Sequence, residues 1–172
     1  MPPSSCQLVL HPAPILREKA RPVEAFDEAL AKLVSEMLEI MREYDGVGLA
    51  APQAGHSLQI FVCNSGAQGE ADQVFINPEI LEADGPQEWL EEGCLSLPEI
   101  RGRVRRPTRV RIRAQDLEGT PFELESDGFH ARIWQHEFDH LQGVLILDRM
   151  RPIDRLAIRR TLKDLIARSS PE

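Results

Sequence analysis

Two histidines four residues apart, in His136-Glu137-Phe138-Asp139-His140, are the residues of this chain best suited to chemistry. On a helix, residues i and i+4 lie one above the other, so both imidazoles can reach one divalent cation. Glu137 follows the first histidine, where a carboxylate can hold a water molecule bound to that cation. The pentapeptide therefore indicates a metal-assisted hydrolase, against the alternative of two surface histidines on a polar helix.

Two histidines leave such a cation short of one protein ligand, because catalytic sites of this type usually have three protein ligands plus water. Spacing as in the metzincins would place a third histidine at position 146, which is Ile146. Spacing as in thermolysin-like enzymes leaves Asp164 and Glu172 in range, and neither suits the role well. These known arrangements therefore do not supply the third ligand.

Cysteine is a different candidate for the third ligand. Cys94 follows Gly93 in a loop-like segment, and a thiolate suits iron(II), zinc, cobalt or nickel. Most free cysteines are simply buried apolar residues, so the residue alone leaves its role open. Cys63, within an apolar strand, and Cys6, near the chain terminus, are poorer candidates. Three cysteines are an odd and sparse set, which favours reduced thiols over a disulfide framework.

Helices are needed to position these residues, and the apolar spacing predicts three. A helical period over 26–41 ends before the turn signal Asp45-Gly46. The helix with both histidines is expected to begin after a capping Ser126 or Asp127 and to stop at Gly143. A final helix is predicted from about 152 to 167.

Strands are predicted mainly in the first two thirds of the chain. Apolar runs at 60–63 and 74–76 suggest short buried strands, the second stopped by Asn77-Pro78. Strict alternation at 109–113 predicts a strand with one arginine face and one aliphatic face, and 121–125 is a further candidate. Short strands with helices near both ends favour an α+β fold over repeated βαβ units.

Composition predicts one soluble globular domain spanning residues 1–172. The chain has 42% apolar and 28% charged residues, and no apolar stretch approaches a membrane span. No signal or transit pattern is recognisable at its start, so we expect a cytoplasmic protein. The net charge of -8 disfavours general nucleic-acid binding, although the charge is unevenly distributed. We expect no membrane partner and no specific nucleic-acid sequence.

Three segments in order closely resemble the three motifs of the peptide deformylase family. They are Gly46–Gln53, Glu92–Ser96 and Gln135–His140, and the segment 75–80 is also similar to that family. The lack of an inserted segment and the C-terminal helix resemble the bacterial type common in Gram-negative organisms. The resemblance implies small mixed or antiparallel sheets packed around a central HExxH helix, with N-terminal and C-terminal helices.

The same resemblance implies a reaction, a metal and a set of roles. Peptide deformylases remove the formyl group from the N-terminal formyl-methionine of new proteins and release formate. Carried over by motif, the metal ligands would be Cys94, His136 and His140. Iron(II) would be the physiological metal, with zinc, nickel or cobalt possible in purified samples. Glu137 would move a proton, and the formyl oxygen would accept hydrogen bonds from the amide of Gln53 and the N–H of Leu95. Without the resemblance, Gln53 could simply brace the glycine-rich loop.

An apolar substrate pocket is expected beside the metal. Phe129 and Ile133 precede His136 by seven and three residues and share its helix face, although one or both could be ordinary core. Such a wall suits the thioether of methionine. The resemblance adds residues near the cysteine motif and the glycine-rich loop as substrate contacts: Val47, Gly48, Leu90, Glu92 and Gly93. Arg101 would lie at the rim, whereas Arg132 stands where many family members are apolar.

Two basic segments and two competing functions remain open at this point. The seven arginines of 101–113 could form a solvated strand face that pairs with the nine acidic residues of 70–99. The basic C-terminal helix could dock at the ribosomal exit, as its counterpart does in related bacterial enzymes, or could only pack. The competing functions are an HExxH endopeptidase and a catalytically inactive binding module on the same fold.

Overall fold

Within residues 6–169, the part of the chain that our computed structural model describes, one antiparallel sheet of five strands packs with five α-helices. The strands are neighbours in chain order: β1 (Gly48–Ala50), β2 (Ile60–Cys63), β3 (Gln73–Cys94), β4 (Leu97–Gln115) and β5 (Pro121–Ser126). The helices are α1 (Glu28–Glu43), α2 (Phe129–Leu141), α3 (Ile146–Arg149), α4 (Pro152–Ala157) and α5 (Arg159–Ser169). The predicted α+β class is confirmed, with one sheet in the place of several small ones.

The β3–β4 hairpin is much longer than the sequence suggested. The prediction that Asn77-Pro78 stops a strand is wrong, because β3 continues through both residues to Cys94. A register shift between Ile76 and Glu79 accommodates them, and Asn77 adopts a positive φ of 51° there. The Asn77 amide accepts from the N–H of Val23 at 2.8 Å and donates to its carbonyl at 2.9 Å, which holds the irregularity in place. A proline is tolerated at such a shift because no ladder hydrogen bond is required of it.

Helix boundaries differ from the prediction by a few residues, for local reasons. Helix α1 begins at Glu28 because the Asp27 side chain accepts from the N–H of Leu30 at 3.0 Å. Helix α2 is capped by Gly128 and not by Ser126 or Asp127; the Ser126 hydroxyl instead accepts from the Gly128 N–H, just before the helix.

The single C-terminal helix that was predicted is divided into α4 and α5 by a break at Ile158. Leu165 of α5 is 3% exposed and packs into the core around β4 and α3. Within residues 6–169, no helix has the length and apolar character needed to cross a membrane.

Helix α2 lies against the sheet at its centre, where it contacts strands β1, β2, β4 and β5. The apolar cluster beneath it includes Phe61 and Phe75, whose rings stack with centroids 4.5 Å apart. Trp134 of α2 packs on Phe75 at a centroid distance of 5.6 Å. Burying this apolar face fixes the helix that carries both histidines.

Most of the arginine run is a solvated strand face, as expected from the opposite charges of the two segments. Exposed or partly exposed arginines of β4 pair with carboxylates of β3 or β5, in the pairs Arg101–Glu91, Arg109–Asp84, Arg111–Glu82 and Arg113–Glu123. Arg106 is different, because it is 3% exposed and faces inward beneath α2.

Candidate metal centre

Three side chains from two elements converge on one point. Cys94 is the last residue of β3, and His136 and His140 lie one turn apart on α2. The Cys94 Sγ lies 3.4 Å from Nε2 of His140, which lies 3.3 Å from Nε2 of His136. One ligand atom from each lies within 4.8 Å of the other two, so the group could hold a metal ion. A soft thiolate with two imidazoles fits the donor set of zinc or iron(II).

The other sequence candidates for a third ligand lie elsewhere. Cys63 is buried in β2 and donates to the Gln73 amide at 3.3 Å. Cys6 lies 3.4 Å from the ring of His56, away from α2. Asp164 is exposed on α5, and Glu172 falls outside the described residues.

The two histidine rings have different electrostatic surroundings. Burial lowers the pKa of His140 well below its usual value, which favours the neutral ring that ligates metals. Burial would lower the pKa of His136 as well, but its contacts with Cys94 and Glu92 outweigh burial and raise it. Cation binding would therefore release a proton from this site.

Gln53 is held against the thiol by its neighbours. It lies in a 3-10 turn, Ala51–Ala54, which follows β1 directly. Its side-chain oxygen accepts from the Ala50 N–H at 3.0 Å, and its nitrogen lies 3.1 Å from the Ser96 hydroxyl and 3.5 Å from the Cys94 sulfur. The amide is thus both braced by the loop and directed at the ligand cluster. Ser96, which sequence reasoning missed, lies within the motif, two residues after Cys94.

Glu137 is a buried carboxyl beside the ligands. Its Oε1 lies 4.0 Å from Nε2 of His136, and its Oε2 has no hydrogen-bond partner among the described residues. Burial is the main cause that raises its pKa to about 7. Gly48 makes room for it, because a Cβ at that position would lie 2.5 Å from Oε1 of Glu137. A buried carboxyl with an unused oxygen is suited to accept and return a proton.

Glu92 lies in a buried ionic cluster next to the ligands. Arg106 grips both of its carboxylate oxygens, at 2.6 and 3.0 Å, and Arg132 donates to Oε1 at 2.8 Å. The ring nitrogen Nδ1 of His136 lies 3.1 Å from Oε2. Burial alone would raise the pKa of Glu92, but the contacts with His136 and Arg106 hold it far below its usual value. A proton on Nδ1 facing this carboxylate leaves Nε2 of His136 directed at the ligand cluster.

A cavity of about 730 Å³ opens onto the ligand cluster. Most of the expected site residues line it: Val47, Gly48, Gln53, Glu92, Gly93, Cys94, Leu95, Arg101, Phe129, Ile133, His136 and Glu137. Leu90 does not; it borders an adjoining cavity of about 230 Å³ together with Phe129 and Arg132. His140 is buried behind the cavity at 1% exposure. Glu92 lies at the cavity wall, but both of its carboxylate oxygens already contact Arg106, Arg132 or His136. Few hydrogen-bonding positions on this carboxylate are therefore left for a substrate.

Comparison with known proteins agrees with this arrangement. Residues 5–156 match the family model for polypeptide deformylase. The chain belongs to this family. A peptide deformylase of Thermotoga neapolitana is 51% identical over 152 residues, which cover 88% of this chain and 91% of that protein.

Solved structures of polypeptide deformylase family members share the fold. Peptide deformylase from Plasmodium falciparum superposes with a TM-score of 0.91 at 40% identity, covering 96% of this chain and all of that chain (100%). The crystal structure from Thermotoga maritima has a TM-score of 0.81 at 48% identity, covering 86% of this chain and 98% of that chain. The chain is accordingly an enzyme of the deformylase family.

Proposed function

We propose that the chain hydrolyses the formyl group from the N-terminal formyl-methionine of nascent proteins and releases formate. The observation that carries this proposal is the Cys94-His136-His140 cluster beside the buried carboxyl of Glu137, at the wall of one cavity. The family match supports the same conclusion. The absence of a fitting downstream ligand disfavours an HExxH endopeptidase, and the intact set of polar residues disfavours an inactive module.

The side chains divide the chemical work among them. When bound, a divalent cation at this site polarises the substrate carbonyl and lowers the pKa of a water molecule toward neutrality. Glu137 accepts a proton as the formyl carbon is attacked and returns it to the departing amine. Negative charge that develops on the formyl oxygen is stabilised by the Gln53 amide and the N–H of Leu95.

The apolar part of the cavity wall supports selection of a methionine side chain. Ile133 is 4% exposed and Phe129 is 53% exposed, so α2 presents one anchored and one open apolar surface next to His136. An unbranched thioether side chain can adapt to such a wall. Val47, Gly48 and Gly93 line the same cavity. In the proposed complex, their backbone groups pair with the extended peptide. Arg101 meets later residues of the peptide.

The test compares formate release from formyl-Met-Ala-Ser with cleavage of casein. We expect rapid formate release and no proteolysis. Glu137→Ala should reduce turnover by about 100- to 10,000-fold, the usual contribution of a positioned acid–base group, with the metal content unchanged. Glu39→Ala, on the exposed face of α1, is the matched control. Casein cleavage without formate release would overturn the proposal.

The metal is one divalent cation per chain, with iron(II) as the physiological ion and zinc, nickel or cobalt as substitutes in purified samples. The Cys-His-His donor set supports this range. Elemental analysis of anaerobically prepared protein, paired with formate release, tests it. One equivalent of iron in the active preparation is expected, and full activity after complete removal of metal would refute metal dependence.

We further propose that the cytoplasmic enzyme docks at the ribosome through α5 rather than binding a specific nucleic-acid sequence. Arg159, Arg160 and Lys163 are exposed there and form no ion pair among the described residues. Because Leu165 is buried, truncating the helix would uncover the core, so charge reversal of these three residues is the sharper test. Ribosome cosedimentation should fall while activity on a short formyl peptide is retained, and Lys19→Glu should change neither. Unchanged cosedimentation would exclude docking through this face.

A further inference from the structure

Arg132 lies on α2 at the wall of the cavity, at a position where many family members have an apolar residue. Its side chain is 10% exposed, and its guanidinium makes three contacts. Nη1 donates to Oε1 of Glu92 at 2.8 Å and to the Val104 carbonyl at 3.1 Å, and Nη2 donates to the Glu88 carbonyl at 2.9 Å. One side chain thus joins α2 to both β3 and β4.

The spacing of these contacts relates Arg132 to the metal ligands. Arg132 and His136 are four residues apart on α2, so they share one helix face. They reach the same carboxylate, Arg132 at Oε1 and His136 at Oε2 of Glu92. Glu92 in turn lies two residues before Cys94, within the same strand β3. Arg132 therefore ties together the two elements that carry the ligands, one helical turn from the ligands themselves.

Without Arg132, the one direct contact that the helix keeps with this carboxylate among the described residues is the ring of His136, at 3.1 Å. Arg106 of β4 would remain and would link Glu92 to α2 indirectly, because its Nη1 also donates to Asp139 at 2.9 Å, but that link lies beyond His136 along the helix. The separation between Cys94 and the paired histidines would then lose one of its fixed points.

We infer that Arg132 is a positioning residue, which acts through Glu92 to set the distance between Cys94 and the two histidines. The inference rests on the proposed metal site but not on the substrate. Arg132 holds the geometry of the metal ligands, and its guanidinium takes no part in the chemical step. Loss of an outer contact of this kind typically weakens metal affinity by about 10- to 100-fold.

The test measures zinc affinity by competition with a chromogenic chelator, in the absence of substrate. Arg132→Met keeps the length and apolar stem and should weaken zinc binding by about 10- to 100-fold. Arg132→Lys should recover part of the affinity, because an ammonium can reach Glu92 but cannot bridge both carbonyls. Arg105→Met, the same substitution at an exposed β4 residue without an ion pair in the described chain, should leave affinity unchanged. The absorption bands of the cobalt-loaded protein should shift in Arg132→Met and stay unchanged in Arg105→Met.

A double-mutant cycle with Glu92→Gln separates positioning from simple packing. If Arg132 acts through Glu92, then Arg132→Met should have little further effect on zinc affinity in the Glu92→Gln background. Full additivity of the two changes, or wild-type affinity in a folded Arg132→Met chain, would overturn the inference. If Arg132→Met does not fold, the same double-mutant cycle with Arg132→Lys tests whether Arg132 acts through Glu92. Normal metal binding without any formate release would refute the proposed reaction and leave this inference standing.

Discussion

The space beside Glu137 makes Gly48 a sensitive position for activity. In Gly48→Ala, the new Cβ would lie 2.5 Å from Oε1 and 2.9 Å from Cγ and Cδ of Glu137. To restore ordinary contact the carboxyl must retreat by roughly 0.9 Å. Glu137 is 4% exposed, and its Cγ is also too close to the new methyl group, so the side chain must move as a whole and the carboxyl leaves its observed position. The three atoms nearest to this methyl group all belong to Glu137, and none belongs to a metal ligand.

A displacement of this size costs about 100-fold in catalysis, equivalent to about 2.7 kcal/mol of activation free energy. We expect Gly48→Ala to lose this factor in kcat for formate release, while zinc content and affinity remain those of wild type. Gly128→Ala is the control, because a Cβ there meets its nearest atom at 3.9 Å. Full activity in Gly48→Ala would refute the assignment of Glu137 as the proton carrier at its observed position.

Three further predictions concern the ligand set, one ion pair and the C-terminal core. Cys94→Ser should reduce zinc affinity because the thiolate is lost, and unchanged metal content by elemental analysis would remove Cys94 from the ligands. Hydrogen bonds from His130 and Ser65 hold the pKa of Glu70 at about 2. Because this pKa is depressed on folding, Glu70→Gln should lower the free energy of unfolding above about pH 4.3, and the difference should fade as the pH falls toward 2. Denaturant unfolding across that range measures it, and a pH-independent difference would contradict the reasoning. Leu165→Ala should destabilise the fold by about 2–5 kcal/mol in the same assay, since the side chain is buried, whereas a negligible change would mean that α5 does not pack as observed.

Local patterns in the sequence were sufficient to predict α2 and its histidines. The motif that contains both histidines spans about one helical turn, so the spacing of His136 and His140 alone places both rings on one helix face. Cys94 could be assigned only through the family motifs, because nothing local distinguishes a ligand thiol from a buried one. The structure supplies the missing relation by placing its sulfur 3.4 Å from His140.

The length of β3 and the role of Glu92 were beyond local patterns for different reasons. The residues 82–91 pair with β4 through their backbone, but all of them are exposed. Because neither face of this segment is buried, no alternation of apolar and polar residues marks it as a strand. Glu92 depends on Arg106, which looks like any other member of the arginine run. Only the inward direction of Arg106 in β4, set by the register of the hairpin, reveals that this arginine is the buried partner.

The three cysteines of the chain occupy very different chemical settings. Burial and the neighbouring Glu36 raise the pKa of Cys6 to about 12, and burial also raises the pKa of Cys63 above its usual value. Cys94 lies at the cavity wall, where a bound cation would cover its sulfur. Iodoacetamide should therefore alkylate Cys94 in the stripped protein and spare it in the loaded one. The mass added to each chain would then serve as a direct gauge of site occupancy.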